Sequence, residues 1–313
     1  MALPILVTGS HRSGTTWVGK MLSLSASIAY IHEPFSPLRS PGWLGTRVPY
    51  WYLYVCAENE DPYLPAVRRL LELRYPLARD LRLGPKPRVL GQMALEWPRS
   101  LTARARRARP LLKDPIALFS SEWLADRFQA GPVVLIRHPA AFAGSLKRLD
   151  WQFEFRNWAE QPLLLRDHLG PYEERILEYS SRPRDIIDQA VLLWNCIHHV
   201  IDRFRERHPD WAFIKYEDLA GSPVAGFEDL ARHLGTPWDE EARKQVVRYS
   251  SERNVKEVPA WQHRRVKRDS RAARTSWVRR LTDEERDRVR AGTAEVAARF
   301  YSDADWVPEG AGR

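Results

Sequence analysis

The 313 residues hold only two cysteines, Cys56 and Cys196. Two thiols are too few for a disulfide framework and fit a reducing compartment. No stretch reaches the roughly 18–20 unbroken apolar residues of a membrane span. The N-terminus runs from Met1-Ala-Leu-Pro into Ile5-Leu-Val-Thr8 without the basic segment that opens a secretory signal. These absences together predict a cytoplasmic protein. No repeat of 20–50 residues is visible, and no residues are spaced as metal ligands. The adjacent His198 and His199 would point about 100° apart on a helix, which makes a poor chelate. What remains is an ordinary globular composition, 44% hydrophobic and 28% charged, which excludes disorder and collagen. Lys and Arg outnumber Asp and Glu by 49 to 40, so an anionic partner is favoured. The 13 tryptophans are a surplus of the sort that covers sugars or ring ligands as well as core.

Short apolar runs alternate with amphipathic segments. Pro4–Thr8, Gly131–Arg137 and Trp211–Tyr216 read as buried strands, with Val89–Met93 as one more. Helices are predicted over Thr16–Leu24, Ala140–Leu149 and Phe227–Leu234, and further ones carry Trp151–Trp158 and Ile186–Arg207. Repeated strand, turn and helix, with continuously apolar strands, predicts an α/β fold: a central parallel sheet flanked by helices on both faces. Residues 34–65, rich in Pro, Gly, Trp and Tyr, read as a long lid or substrate loop. Between His263 and Arg280 stand eight Lys/Arg and one Asp. No linker separates these parts, so the chain reads as one domain, residues 1–313.

The strongest local feature is Gly9-Ser-His-Arg-Ser-Gly-Thr-Thr16, between the first strand and its helix. A Gly-x4-Gly spacing there is that of a phosphate-binding loop, in which backbone N–H groups and a helix N-terminus hold an anion. The fold is therefore expected to be P-loop-like. The triphosphate version continues with a lysine after the second glycine, and here that residue is Thr15. Ser13, Thr15 and Thr16 offer hydroxyls instead, and Arg12 offers a fork for two oxygens.

Arg12-Ser-Gly-Thr-Thr-Trp17 after a buried N-terminal strand resembles the 5′-phosphosulfate loop of sulfotransferases that use 3′-phosphoadenosine 5′-phosphosulfate (PAPS). Four further segments match in order: Val133–Arg137 with His138-Pro139 and Ser145, Lys113-Asp-Pro115, Tyr216-Glu-Asp-Leu219, and Ser276-Trp277 ahead of Leu281–Glu285. The resemblance covers nearly the whole chain. It implies transfer of a sulfuryl group from PAPS to an acceptor hydroxyl, without a metal. It further implies that Arg12, Ser13, Gly14, Thr15 and Thr16 hold the 5′ end, and that Arg137 and Ser145 grip the 3′-phosphate. Trp17 would lie beside adenine, with Tyr216 near the nucleotide. Counting back from Trp277, the family's Arg-Lys-Gly falls on Ser270, Arg271 and Ala272, so Arg271 alone keeps a cation for the 3′-phosphate. Residues 263–281 would close on the cofactor.

Sulfuryl transfer needs an in-line nucleophile, a base and positive charge on the leaving phosphate. Arg12 stands where the cytosolic small-molecule branch has Lys, which points toward the glycan and tyrosyl-protein branches. Lys113 matches a Lys of the tyrosyl-protein branch that steadies the same charge. Glu33, 21 residues after Arg12, is favoured as base over its neighbour His32. Trp43, Tyr50, Trp51, Tyr52 and Tyr54 offer stacking surfaces for sugar rings, and Trp151, Phe153, Phe155 and Trp158 extend them. The acceptor is thus expected to be a carbohydrate or glycolipid. A P-loop kinase of a small metabolite lacks its lysine. A nucleic-acid-binding protein would use the basic tail as a free arm, which Trp277 and the acidic Asp283–Glu285 disfavour.

Overall fold

The computed structural model describes residues 3–39, 42–82, 87–182, 184–257, 267 and 269–307. Five short strands form one sheet: β1 (Ile5–Gly9), β2 (Ile28–His32), β3 (Arg109–Lys113), β4 (Gly131–Ile136) and β5 (Ala212–Lys215). Their order is β2-β3-β1-β4-β5, in a parallel sheet flanked by helices. β1 pairs with β3 through Ile5 and Leu111, and β2 pairs with β3 through Ile28 and Arg109, ending on His32 opposite Lys113. The chain leaves β1 toward one edge and β4 toward the other. Such a reversal between neighbouring strands is where open α/β sheets hold ligands, outside the carboxyl ends.

Among the described residues up to 149 the α-helices are α1 (Thr15–Leu22), α2 (Leu64–Leu71), α3 (Leu77–Arg82), α4 (Pro87–Ala105), α5 (Ser121–Phe128) and α6 (Pro139–Leu149). The chain divides into two compact units. One comprises Met1–Thr8 with Val18–Val133, the other Gly9–Trp17 with Val134–Arg313.

Two strands were not expected from the sequence. β2 and β3 are five residues each, and β3 carries Arg109, Pro110 and Lys113 around only two leucines. Conversely, Val89–Met93 is not a strand but part of α4. Apolar residues at 90, 93, 94 and 97 recur three and four apart, the helical period. Trp151–Trp158 is not a helix either. Asp150 ends α6 at φ +45°, and regular structure resumes only at Arg156–Ala159.

Six of the nine expected sugar-stacking aromatics serve the interior, while Tyr50, Trp51 and Trp151 are half-buried. Trp43, Tyr52 and Tyr54 are buried, and Trp43 joins Phe35, Leu44, Val48 and Tyr63 in the core of the first unit. Phe153, Phe155 and Trp158 are buried against one another in the second unit. A sheet of such short strands offers little apolar surface, so these rings complete the cores. Of the basic tail, Arg264, Arg265 and Arg268 lie outside the described residues.

Candidate active site

The loop from β1 to α1 belongs to the second unit, and both its glycines are sterically required. Gly9 has φ +131°, and a Cβ there would run into the Leu135 carbonyl. Gly14 has φ +93°, and its Cβ would stand 2.6 Å from the Tyr216 ring. Between them Arg12 takes φ +67°, a left-handed conformation that costs an ordinary residue about 1–2 kcal/mol. The Trp17 N–H closes onto the Gly14 carbonyl at 2.9 Å, and the earlier N–H groups of a helix start without intrahelical partners. Ser13 spends its hydroxyl on the Ser10 carbonyl, which fixes the loop. Thr15 is buried and Thr16 half-buried.

Arg12 Nε donates to Ser145 Oγ at 3.1 Å, and its guanidinium lies 6.0 Å from the centre of the Trp151 ring. Two residues 133 positions apart, expected at opposite ends of one nucleotide, thus touch. Arg137, just past β4, is buried and held on three sides. Nη2 donates to the Ala273 carbonyl at 3.0 Å, Nε faces Glu217 Oε1 at 3.3 Å, and the guanidinium lies 3.8 Å from the centre of the Tyr216 ring. Its Nη1 is buried with no hydrogen-bond partner among the described residues. A buried guanidinium N–H left unpaired costs free energy, so this atom fits an incoming phosphate oxygen. Glu217 also accepts from the His138 N–H at 3.2 Å and the Tyr301 hydroxyl at 3.0 Å.

The same unit draws the C-terminal motif in. The His138 ring stacks on Trp277, with centroids 5.4 Å apart. Lys147 of α6 pairs with Glu285 at 2.6 Å. Arg271 is exposed and pairs with Glu252 at 2.6 Å. With Gly221, Arg274 and Thr275 it lines a cavity of about 270 Å³. Trp17 and Tyr216 are both buried, and Trp17 meets the edges of Tyr216 and Phe227. Their visible work is bracing: Tyr216 fills the space beside Gly14 and supports Arg137.

The remaining candidates lie in the first unit, where β2 and β3 are neighbours. The Glu33 N–H extends their ladder onto the Lys113 carbonyl at 2.8 Å. Lys113, fully buried, donates from Nζ to Glu33 Oε1. The other carboxylate oxygen lies 3.7 Å from His32 Nε2, and His32 Nδ1 meets the Tyr30 hydroxyl at 2.9 Å. Glu33 therefore stands between Lys113 and His32, its rival for the role of base. Like Arg12 it has positive φ, +49°. Strain at a non-glycine residue is a mark of functional positions.

Asp114, which the sequence reading passed over, fixes this corner. Its Oδ2 accepts from the Phe35 N–H at 2.6 Å and its Oδ1 from the Ile116 N–H at 3.2 Å, pinning the chain just beyond Glu33. Burial, then the nearby Glu33 charge, pushes its carboxyl up from 3.8 to about 7. The folded protein holds that proton more tightly than the unfolded chain. Its contribution to stability is therefore present below about pH 4 and lost as pH rises toward 7. Asp114→Asn has no proton to lose. The stability of wild type minus that of the variant should fall by roughly 4 kcal/mol from pH 4 to pH 8. Urea unfolding across that range measures it, and a flat difference would acquit Asp114 as the titrating group.

Residues 4–240 match the profile of the sulfotransferase family. The chain belongs to that family. Among solved structures the sulfotransferase is similar to the sulfotransferase domain from the curacin biosynthetic pathway, at 15% identity and TM-score 0.51, over 96% of this chain and 98% of that one. It is also similar to the sulfotransferase domain from the Synechococcus PCC 7002 olefin synthase, at 19% identity and TM-score 0.47, over 98% and 96%. The first likeness is one of fold. No curated protein matches. The family takes its sulfuryl group from PAPS, and this sulfotransferase is a PAPS-dependent enzyme.

Set against the motifs of this sulfotransferase, the structure joins four of the five within the second unit: the Arg12 loop, Arg137 to Ser145, Tyr216-Glu217 and Trp277. The fifth, Lys113-Asp-Pro115, meets Glu33 in the first unit. Sequence reasoning missed Glu217 and Asp114 as organising carboxylates. Both stood inside quoted motifs, next to the residues that drew notice.

Proposed function

We propose that this sulfotransferase moves the sulfuryl group of PAPS onto a hydroxyl of a carbohydrate or glycolipid. The observation that carries the nucleotide assignment is the buried, unpartnered Nη1 of Arg137, in the unit that also holds the lysine-less anion loop. Arg137 and Ser145 grip the 3′-phosphate, with Arg271 adding charge. Ser13, Gly14, Thr15 and Thr16 receive the 5′-phosphosulfate, and Trp17 and Tyr216 hold their shape beside the nucleotide. The acceptor oxygen attacks sulfur, and the bond from sulfur to the bridging oxygen breaks. Its electron pair leaves on adenosine 3′,5′-bisphosphate, steadied by Arg12 and Lys113, and the acceptor proton passes to Glu33.

The preference for a sugar acceptor rests on Arg12 and Glu33, because the aromatics once offered for it are mostly core. We further infer a single catalytic domain at work in the cytoplasm, consistent with the free thiols of Cys56 and Cys196. Residues 34–65 would shape the acceptor side, and 263–281 would close on the nucleotide. Calorimetric titration tests the core of this reading. Adenosine 3′,5′-bisphosphate should bind at least about 100-fold more tightly than ATP with magnesium, a gap the extra 3′-phosphate contacts supply. Equal affinities would overturn it. Transfer from PAPS to glycolipids and sugars, set beside simple phenols, then tests the acceptor class.

A further inference from the structure

Helix α4 carries two apolar faces, and only one is used by the fold. Met93 and Ser100 are buried, and Glu96 accepts from Trp43 Nε1 at 3.3 Å; this side packs on the first unit. Roughly 95° around the axis run Leu90, Ala94, Trp97 and Leu101, within a sector of about 60° and over about 16 Å. Leu90 is 47% exposed, Trp97 42% and Leu101 45%. Of the 12 large hydrophobic residues exposed among the described residues, five fall between Leu81 and Leu101. Trp97 is the only exposed tryptophan among them. A solvent-facing helix surface is ordinarily charged or polar, and a contiguous apolar patch marks a contact surface.

The charge of the same segment says what it contacts. Residues 77–107 hold eight Lys/Arg against Asp80 and Glu96. Two thirds of the net charge of +9 thus lies in about a tenth of the chain. Arg104 stands at the rim of the stripe, about one turn beyond Leu101, and Arg79, Arg106 and Arg107 are exposed nearby. Leucines with one tryptophan, bordered by arginines, is the composition of a helix lying in a membrane interface. Apolar side chains enter the acyl boundary there, while cations meet anionic headgroups. Nucleic acid would use the arginines and leave the leucines in water. No helix among the described residues is long and apolar enough to cross a membrane, so the contact would be peripheral.

We propose that the exposed face of α3 and α4 docks this protein on anionic bilayers. The proposal rests on side chains outside the nucleotide and proton-transfer groups, so it stands or falls apart from the function above. The full-length protein is sedimented with vesicles of phosphatidylcholine alone, or with about 30% phosphatidylglycerol. At low salt the anionic vesicles should retain at least about tenfold more protein, and added salt should release it. The pair Trp97→Ser with Leu101→Ser should lose about tenfold, and so should Arg104→Glu with Arg106→Glu. Circular dichroism and thermal unfolding confirm that both variants are folded. Retention that ignores lipid charge, or variants that sediment like wild type, would overturn the proposal. So would a wild-type dimer that the serine pair dissociates, because the stripe would then face a second copy.

Discussion

Arg137→Ala is expected to weaken binding of adenosine 3′,5′-bisphosphate by about 100-fold, while the analogue without a 3′-phosphate binds within a few-fold of wild type. The reason is that Nη1 is buried without a hydrogen-bond partner among the described residues. Nη2 is committed to the Ala273 carbonyl and Nε faces Glu217 as an ion pair, so the guanidinium is already oriented and presents the buried, unpaired Nη1 to a ligand oxygen. Removing it also strips Glu217 of its cation. Two donors remain there, the His138 N–H and the Tyr301 hydroxyl, so the carboxylate is not abandoned in the interior. Some loss of stability is still expected, since breaking a buried pair leaves a charge uncompensated. Comparing two ligands on one variant cancels that loss, because a smaller folded fraction lowers both affinities alike. Equal weakening of the two would show that Arg137 holds the fold and not the 3′-phosphate.

Glu33→Gln is expected to lower kcat by about 10² to 10⁴ with nucleotide affinity unchanged within a few-fold, the signature of a lost proton acceptor. The substitution is chosen for Lys113. That ammonium is fully buried and bonded to Glu33, and glutamine keeps an oxygen facing it where alanine would leave it unpaired. Single-turnover rates across pH separate the roles further. A base at Glu33 gives an acid limb in wild type that disappears in the variant. If Glu33 only anchors Lys113, the variant keeps the limb. Should the rate stay near normal, the proton goes elsewhere, and His32, 3.7 Å from the same carboxylate, is the next group to replace.

How much of this was readable beforehand differs from element to element. β1 and β4 were legible because each is a continuous apolar run, as a strand covered on both faces must be. The long helix Ile186–Arg207 was legible to the residue, since its period persists over six turns and Asp185 caps it. β3 was not, because Arg109, Pro110 and Lys113 surround only two leucines, a pattern that reads as loop, and β2 has only the short run Ile28–His32 with no local mark of a strand. The burial of Trp43, Tyr52 and Tyr54 was not legible for a related reason: an exposed and a buried aromatic have the same local sequence signal. Trp97, exposed on α4, lies just beyond Val89–Met93, the segment that reads as strand.

The amino-acid sequence alone determined the chemistry available: a glycine-framed loop with Arg12 in place of a triphosphate lysine, an arginine closing β4, a lysine before Asp114-Pro115. These are local properties, set by backbone conformations that only certain residues adopt. The folded chain decided which of them meet. Arg12 reaches Ser145 and Arg137 reaches Tyr216, Glu217 and Ala273 only because sheet order sets β4 beside β1 and β5 beside β4. Lys113 meets Glu33 because β2 and β3 pair in register. Strand order depends on long-range packing that no window of sequence contains, and so partners, unlike parts, had to be seen in three dimensions.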